Sequence, residues 1–218
     1  MNPAAPAKSE SREARKVLIE AIDREATARG GADGACFAEF ARAFLAGAEG
    51  RPLQTHGTVG LVSAAHDGFE LARQRRGDER HVRVRLPADL PGRSVIEVFQ
   101  QDRPFLVDTV RLFLRRHRLQ EQMLLHPTIR IGRDAGGRLR SIGEEEGVLE
   151  SLIYVEVYPR VGEARARELE SELDQIMGWV ANVTDDHRRM IRFVREVGAG
   201  VEFARDHIEG GSERVAKI

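Results

Sequence analysis

The sequence contains little of what stabilises secreted proteins or spans membranes. Cys36 is the only cysteine among 218 residues, which excludes an internal disulfide and a thiolate metal cluster. No apolar run approaches the about 18 residues that a membrane span needs, and Met1 to Ser9 lack the apolar stretch of a secretory signal. We therefore expect a cytoplasmic protein whose first nine residues form a disordered lead.

An excess of charge of either sign is also missing. Lys and Arg number 34 and Asp and Glu 35, so the formal net charge is -1, and no long-range field favours nucleic acid or an anionic membrane surface as a partner. Lysine is scarce, since only Lys8, Lys16 and Lys217 occur. Together with the abundant Ala and Gly, this bias indicates GC-rich codons and a bacterial source.

The first third of the sequence predicts helices. Phe37, Phe40 and Phe44 recur at helical spacing together with Ala41 and Leu45, an apolar stripe that must be buried. Similar stripes predict helices from Ser9 to about Arg29 and from about Val59 to Arg75, with breaks at Gly30 to Gly34 and Gly50 to Pro52. We expect an all-helical N-terminal segment over residues 1–79, with Gly30 to Gly34 as a linker.

From His81 the apolar period changes to two, which is typical of strands. The predicted strands are 82–86, 94–100, an extended stretch over 123–133, and 151–158, with a tight turn at 134–137. Helices are predicted after Asp102 and over Leu169 to Val183, the latter continuing toward Val197, and the tail 198–218 is weakly patterned. Residues 80–197 thus predict an α+β domain of ferredoxin-like type, with helices on one face of its sheet and the strand 82–86 at an edge.

Several short motifs in this region occur in a distinctive order. Residues 102–108 read DRPFLVD and lead from a strand into a helix; they are followed by His126-Pro127, by Arg133-Asp134 with a glycine turn, and by Glu150-Ser151. Over about 82–190 this combination resembles the N-terminal ACT-like domain of the large bacterial NAD-dependent glutamate dehydrogenases. The resemblance implies an ACT-like fold.

In that family the complete enzyme oxidises L-glutamate with NAD to 2-oxoglutarate and ammonia, and the ACT-like domains serve regulation and oligomeric assembly. The resemblance implies that chemistry belongs to a separate catalytic region, because a nucleotide-binding βαβ unit and a suitably placed lysine are not found here. We expect no catalytic residue and no cofactor in this chain, with NAD bound by the parent enzyme. The implied partners are a glutamate dehydrogenase catalytic region or subunit, a second copy, and a small amino-acid effector.

The strand-to-helix loop is the first candidate site, for a ligand or an interface, and consists of Asp102, Arg103, Pro104, Phe105 and Asp108. Amides at a helix N-terminus favour anions. A structural role is the alternative, in which Asp102 caps the helix and Phe105 packs, while Arg103 is a solvated surface charge. ACT domains that bind amino acids commonly have glycine after this proline, so Phe105 disfavours that ligand, and a free-standing amino-acid sensor is the alternative function.

The second candidate is a face of the sheet that mixes charged and aromatic residues, as interfaces do. Its residues are Arg83, Arg85, Phe99, Arg130, Tyr154 and Tyr158, which alternation places opposite Ile96, Val98, Ile129, Ile131, Ile153, Val155 and Val157. Either another molecule or the N-terminal helices cover this face, and both alternatives remain open. RNA stacking on its aromatic residues is disfavoured by the balanced charge.

Other polar residues do not predict chemistry. The seven histidines show no metal-ligand spacing, so no metal site is expected. Asp185, Asp186 and His187 follow Thr184 at what reads as a helix start, where acidic residues complement the helix dipole. We interpret them as capping residues.

Overall fold

The computed structural model describes residues 8–46 and 51–207. Three helices precede the sheet: α1 Lys8–Arg29, α2 Gly31–Leu45 and α3 Arg51–Ala72. All three predicted helices are confirmed, although the linker after α1 narrows to Gly30 and α3 starts earlier than predicted, with Gly57 at φ 62° dividing it. Residues 1–7 of the predicted lead and Gly50 of the predicted break lie outside the described residues. Lys8 and Ser9 are helical, and Arg51 and Pro52 belong to α3, so the break does not extend over them.

One antiparallel sheet comes after these helices, with the order β1-β2-β6-β4-β5 and β3 also paired with β6. Its strands are β1 His81–Arg85, β2 Ser94–Gln101, β3 Gln120–Leu125, β4 Thr128–Arg133, β5 Leu139–Ile142 and β6 Val148–Tyr158. The strand β1 lies at one edge of the sheet, as predicted, and pairs with β2.

The strand β6 is the centre of this sheet. Along one side it pairs with β2, from Ser94↔Val157 to Gln101↔Glu150, and along the other with β3 and then β4. The predicted extended stretch over 123–133 is interrupted between β3 and β4 at His126 and Pro127, because proline has no N–H to donate to a ladder. The two pieces therefore share one edge of β6.

The turn at 134–137 is confirmed. Gly137 has φ 85°, and its N–H donates to the Asp134 carbonyl at 2.8 Å. The turn reverses the chain into β5, which pairs with β4 and which the sequence did not predict. Only four residues long, β5 is too short for alternation to identify it.

The sheet carries helices on both faces. On one face the N-terminal helices bury Phe99, Leu152 and Tyr154 in a core that also contains Phe37, Phe40, Phe44, Phe69 and Leu61. Ile129 and Ile131 belong to this core, so their predicted place beside Ile96 is wrong. The reason is register: Ile129 pairs with Glu150, which lies on the same side of β6 as Leu152.

The opposite face carries the helices of the ACT-like unit, as predicted. The helices are α4 Leu106–Arg116 and the start of α5 Glu163–His207. They contact each other through His117, whose ring nitrogens lie 2.6 Å from the Arg165 guanidinium and 3.3 Å from the Glu172 carboxylate. The buried apolar residues of this layer include Ile96, Val98, Leu106, Val110, Phe113, Leu114, Ile153, Val155, Val157, Ala166, Leu169 and Leu173.

The chain divides into two compact units, residues 1–175 and residues 176–218. In the second, α5 continues to His207, so the weakly patterned tail is helical over 198–207, and 208–218 lie outside the described residues. The capping interpretation of Asp185, Asp186 and His187 is wrong, because they lie inside α5. Thr184 does not begin a helix; its hydroxyl donates to the Val180 carbonyl at 2.8 Å. The boundaries at residues 79 and 197 stay predictions.

Candidate functional site

The strand-to-helix loop holds a phenylalanine in an unusual backbone conformation. After β2 the Asp102 N–H donates to the Leu149 carbonyl at 3.0 Å, and the chain turns at Pro104 and Phe105. Phe105 has φ 70° and ψ 5°, the left-handed region, which costs a residue with a Cβ about 1–2 kcal/mol. The Thr109 N–H donates to the Phe105 carbonyl at 2.9 Å, which is the first turn of α4.

This geometry corrects three structural expectations for the loop. Asp102 does not cap α4, because the residue before the helix is Phe105 and no side chain caps it. Phe105 does not pack, since 67% of it is exposed, whereas Leu106 is buried. Arg103 is not a solvated surface charge, because its side chain is only 5% exposed and lies 3.7 Å from Asp78.

The exposed side of α4 therefore presents apolar area beside the loop. Leu112, seven residues after Phe105 and so on the same helix face, is 61% exposed. Asp108 is also exposed and lies between them in the first turn. We call Phe105, Asp108 and Leu112 the α4 patch. Exposed aromatic and aliphatic residues on one face are typical of surfaces that contact another molecule.

The second candidate set does not form one surface. Phe99 and Tyr154 are 0% and 2% exposed, in the core beneath the N-terminal helices, and Tyr154 meets Phe44 edge to face at 5.7 Å. Tyr158 is 50% exposed at the end of β6, while Arg130 is exposed and donates to the Gly147 carbonyl at 2.9 Å. Of the two alternatives, coverage by the N-terminal helices is the one observed for Phe99 and Tyr154.

Two arginines of the second candidate set form ion pairs with one buried carboxylate. Arg83 and Arg85 each donate to Glu97 at 2.8 Å, and Arg85 also pairs with Asp67 of α3 at 2.8 Å. Burial by itself lowers the pKa of Arg85, but the bonded Glu97 and nearby Asp67 raise it overall. Burial, and next Glu156, raises the pKa of Tyr154. The bonds from Arg83 and Arg85 to Asp67 and Glu97 therefore join α3 to the sheet.

A second buried ion cluster was missed from the sequence. Glu150 is 0% exposed and accepts hydrogen bonds from Arg75 at 2.9 Å and from Arg133 at 2.8 and 2.6 Å. Arg75 lies three residues after the end of α3 and is 75 residues away from Glu150 in the sequence, so no local spacing could reveal the pair. Burial, with smaller contributions from Arg133 and Arg75, lowers the pKa of His81 nearby.

Metal sites and membrane spans are both absent across residues 8–46 and 51–207. There, no three His, Cys, Asp or Glu side chains are grouped so that they could hold a metal ion. None of the helices in this range has the length and apolar character to cross a membrane.

Among residues 8–46 and 51–175, the helices α1 to α3 lie on one face of an antiparallel sheet, and α4 with the first part of α5 lies on the other. This arrangement defines an α+β protein of ACT-like architecture. The chain belongs to the family described as "Glutamate dehydrogenase, ACT1 domain", which it matches over residues 40–173. The match includes α3 and the end of α2, so these helices are part of what the family shares.

A curated relative agrees with this assignment. The chain is 31% identical over 98 residues to the NAD-specific glutamate dehydrogenase of Halomonas elongata. The matched region is 43% of this chain but 6% of that protein. The chain thus corresponds to a small part of the relative's length. No solved structure matches the chain.

Proposed function

We propose that this chain is a regulatory and assembly module of a bacterial, cytoplasmic NAD-dependent glutamate dehydrogenase, and that it carries no dehydrogenase site of its own. The α4 patch is the surface through which it contacts the catalytic region. The observation that carries this proposal is the exposure of Phe105. Its side chain is 67% exposed, although its backbone adopts the left-handed conformation. An unfavourable backbone conformation that presents an aromatic side chain to solvent is typical of a functional contact.

The sheet supports a non-catalytic role. Every strand pairing in the described residues is antiparallel, whereas the dinucleotide fold needs parallel strands joined by a helix. Of the lysines within the described residues, Lys8 begins α1 and Lys16 lies exposed on the same helix. NAD is therefore assigned to the partner region and not to this chain.

The test compares two exposed apolar surfaces. The double variant Phe105→Ser, Leu112→Ser removes the patch, and Val59→Ser, at an 84% exposed residue of α3, removes apolar area elsewhere. The full chain is co-expressed with the catalytic region of a bacterial NAD-dependent glutamate dehydrogenase, and co-purification, assembly size and NAD reduction are measured. We expect the patch variant to weaken association about 10-fold or more, as loss of an aromatic anchor does, and Val59→Ser to leave it unchanged.

Equal association of the unmodified chain, the patch variant and Val59→Ser with the catalytic region would refute the patch as the contact surface. Normal assembly and regulation of the dehydrogenase without this module would refute the proposed role altogether. NAD reduction by the chain alone would contradict its non-catalytic assignment.

A free-standing amino-acid sensor is the second candidate. It is favoured by the left-handed φ of Phe105, which is the conformation that glycine adopts readily in such a loop. Calorimetry of the chain with glutamate, aspartate and branched-chain amino acids tests it, and an absence of heat with all of them would eliminate it.

A further inference from the structure

The helix α5 has a long exposed apolar face within residues 176–207. This part of α5 belongs to the second compact unit and is helical throughout. Its large exposed apolar residues are Trp179, Val183, Met190, Ile191, Phe193 and Val197, with exposed fractions between 38% and 68%. Most of the stability of a protein helix comes from packing of its apolar face, and contiguous exposed apolar patches mark contact surfaces.

The apolar residues follow the heptad repeat of a coiled coil, in which positions a and d face the neighbouring helix. The a positions are Ile176, Val183, Met190 and Val197, and the d positions are Trp179, Asp186 and Phe193. We call these seven residues the α5 seam. Asp186, which is exposed, is its one polar member. Ile191 is exposed on the same helix but lies outside the seam.

The aspartate of the seam selects the direction of a neighbouring helix. In a parallel pair each d position faces the d position of the second copy, so the two Asp186 carboxylates would face each other and repel. In an antiparallel pair each d position faces an a position, and Asp186 faces Met190 of the second copy. One polar residue in such a seam specifies how the helices pair, at a cost in stability.

The apolar residues of the seam fit the same antiparallel register. When Asp186 is placed in this way, Trp179 of one copy lies opposite Val197 of the other, and Phe193 lies opposite Val183. Each exposed aromatic side chain then packs against an aliphatic one and loses a large exposed apolar area. Twofold symmetry repeats both contacts, so both copies bury their seams.

The order of charges along the helix also favours the antiparallel direction. Residues 185 and 186 are aspartates, and the stretch 188–195 contains four arginines and no acidic residue. In the antiparallel register, residues 188–195 of one copy lie opposite residues 181–188 of the other, so that the arginine stretch meets the two aspartates. In a parallel pair the two arginine stretches would lie side by side, and such like-charge contacts are unfavourable.

We infer that residues 176–197 form an antiparallel two-stranded coiled coil with the same residues of a second copy of this chain. This part of α5 is about 32 Å long. Because the same surface serves both copies, the contact is closed and assembly stops at a dimer. The α4 patch lies in the first compact unit and is not used, so failure of this inference would leave the proposed role of the patch untouched.

The experiment is sedimentation equilibrium of the full chain at several concentrations. We expect the mass to rise toward twice the 24.4 kDa of one chain. Val183→Ser and Phe193→Ser should each weaken the dimer about 10-fold or more, because symmetry applies each substitution twice. Ile191→Ser, which changes an exposed aliphatic residue outside the seam, is the matched control and should dimerise like the unmodified chain. Circular dichroism verifies that every variant keeps its helix content.

Cysteine crosslinking tests the direction of the pair. Cys36 is the only cysteine, so a Cys36→Ser background has no other thiol. We expect chains with Trp179→Cys and chains with Val197→Cys to form a disulfide-linked dimer when they are mixed under oxidising conditions, and neither variant to do so alone.

Three results would overturn the inference. A mass that stays at 24.4 kDa at every concentration would leave the exposed face to a different partner. A dimer that Val183→Ser and Phe193→Ser do not weaken would lie at another surface. Crosslinking of Trp179→Cys with itself would show a parallel pair.

Discussion

Substitution of Glu150 is expected to destabilise the fold more than any exposed ion pair could. Its carboxylate accepts three hydrogen bonds from Arg75 and Arg133 and is fully buried. In Glu150→Gln the side chain keeps its shape but loses its charge, so two buried guanidinium groups lose their common counterion. Removing one partner of a buried ion pair costs about 3–5 kcal/mol, a large part of the about 5–15 kcal/mol that stabilises a typical domain.

The matched control is Glu121, which forms an equally well-aligned pair with Arg111. The two bonds are 2.9 and 3.1 Å, but the side chains are 33% and 47% exposed, so Glu121→Gln should cost less than about 1 kcal/mol. Urea unfolding followed by circular dichroism gives the free energy of unfolding for each protein. The reasoning would be refuted if Glu150→Gln lost no more stability than Glu121→Gln, or less than about 1 kcal/mol.

Two further predictions concern single residues. Because Phe105 has a left-handed backbone, Phe105→Gly should be more stable than Phe105→Ala by about 0.5–1 kcal/mol in urea unfolding; an Ala variant at least as stable would contradict the assigned conformation. Because the folded state raises the pKa of Tyr154, only the unfolded chain ionises this phenol near pH 10. Its contribution to stability is therefore complete below about pH 10 and is lost as pH rises further, by up to about 1.4 kcal/mol per unit. Tyr154→Phe should flatten the stability curve between about pH 9 and 11, and an unchanged slope would exclude burial of this hydroxyl.

The regular elements with long apolar patterns could be predicted from the sequence. The stripe of Phe37, Phe40 and Phe44 identified α2, and the alternation of Ile153, Val155 and Val157 identified β6. The predictions that failed concerned short local features. The strand β5 is too short to show a period, and the start of α4 depends on a left-handed residue that the sequence presents as an ordinary phenylalanine. Propensity disfavours that conformation for phenylalanine, so only the tertiary structure explains it.

The motif correctly placed a connection between a strand and a helix at residues 102–105, but the exposure of the residues in this connection was predicted wrongly. An aspartate before a helix is usually a cap, yet Arg103 and Pro104 separate Asp102 from Phe105 and move the helix start beyond its reach. Arg103 was expected in solvent and is buried. The buried pair Arg75 and Glu150 could not be found at all, since its members approach only when the connection after α3 returns to the sheet.

The charged face beneath the N-terminal helices did contain a usable signal. In the antiparallel register Arg83 lies directly opposite Glu97, and opposite charges at such positions stabilise a sheet. On a solvated face one carboxylate needs no second arginine, because water satisfies it. Glu97 has two, Arg83 and Arg85, and lies opposite Tyr154 on the neighbouring strand. An acid with two cationic partners on an aromatic face therefore indicates coverage by another part of the chain, because burial of a carboxylate is tolerated only when its charge and lone pairs are compensated.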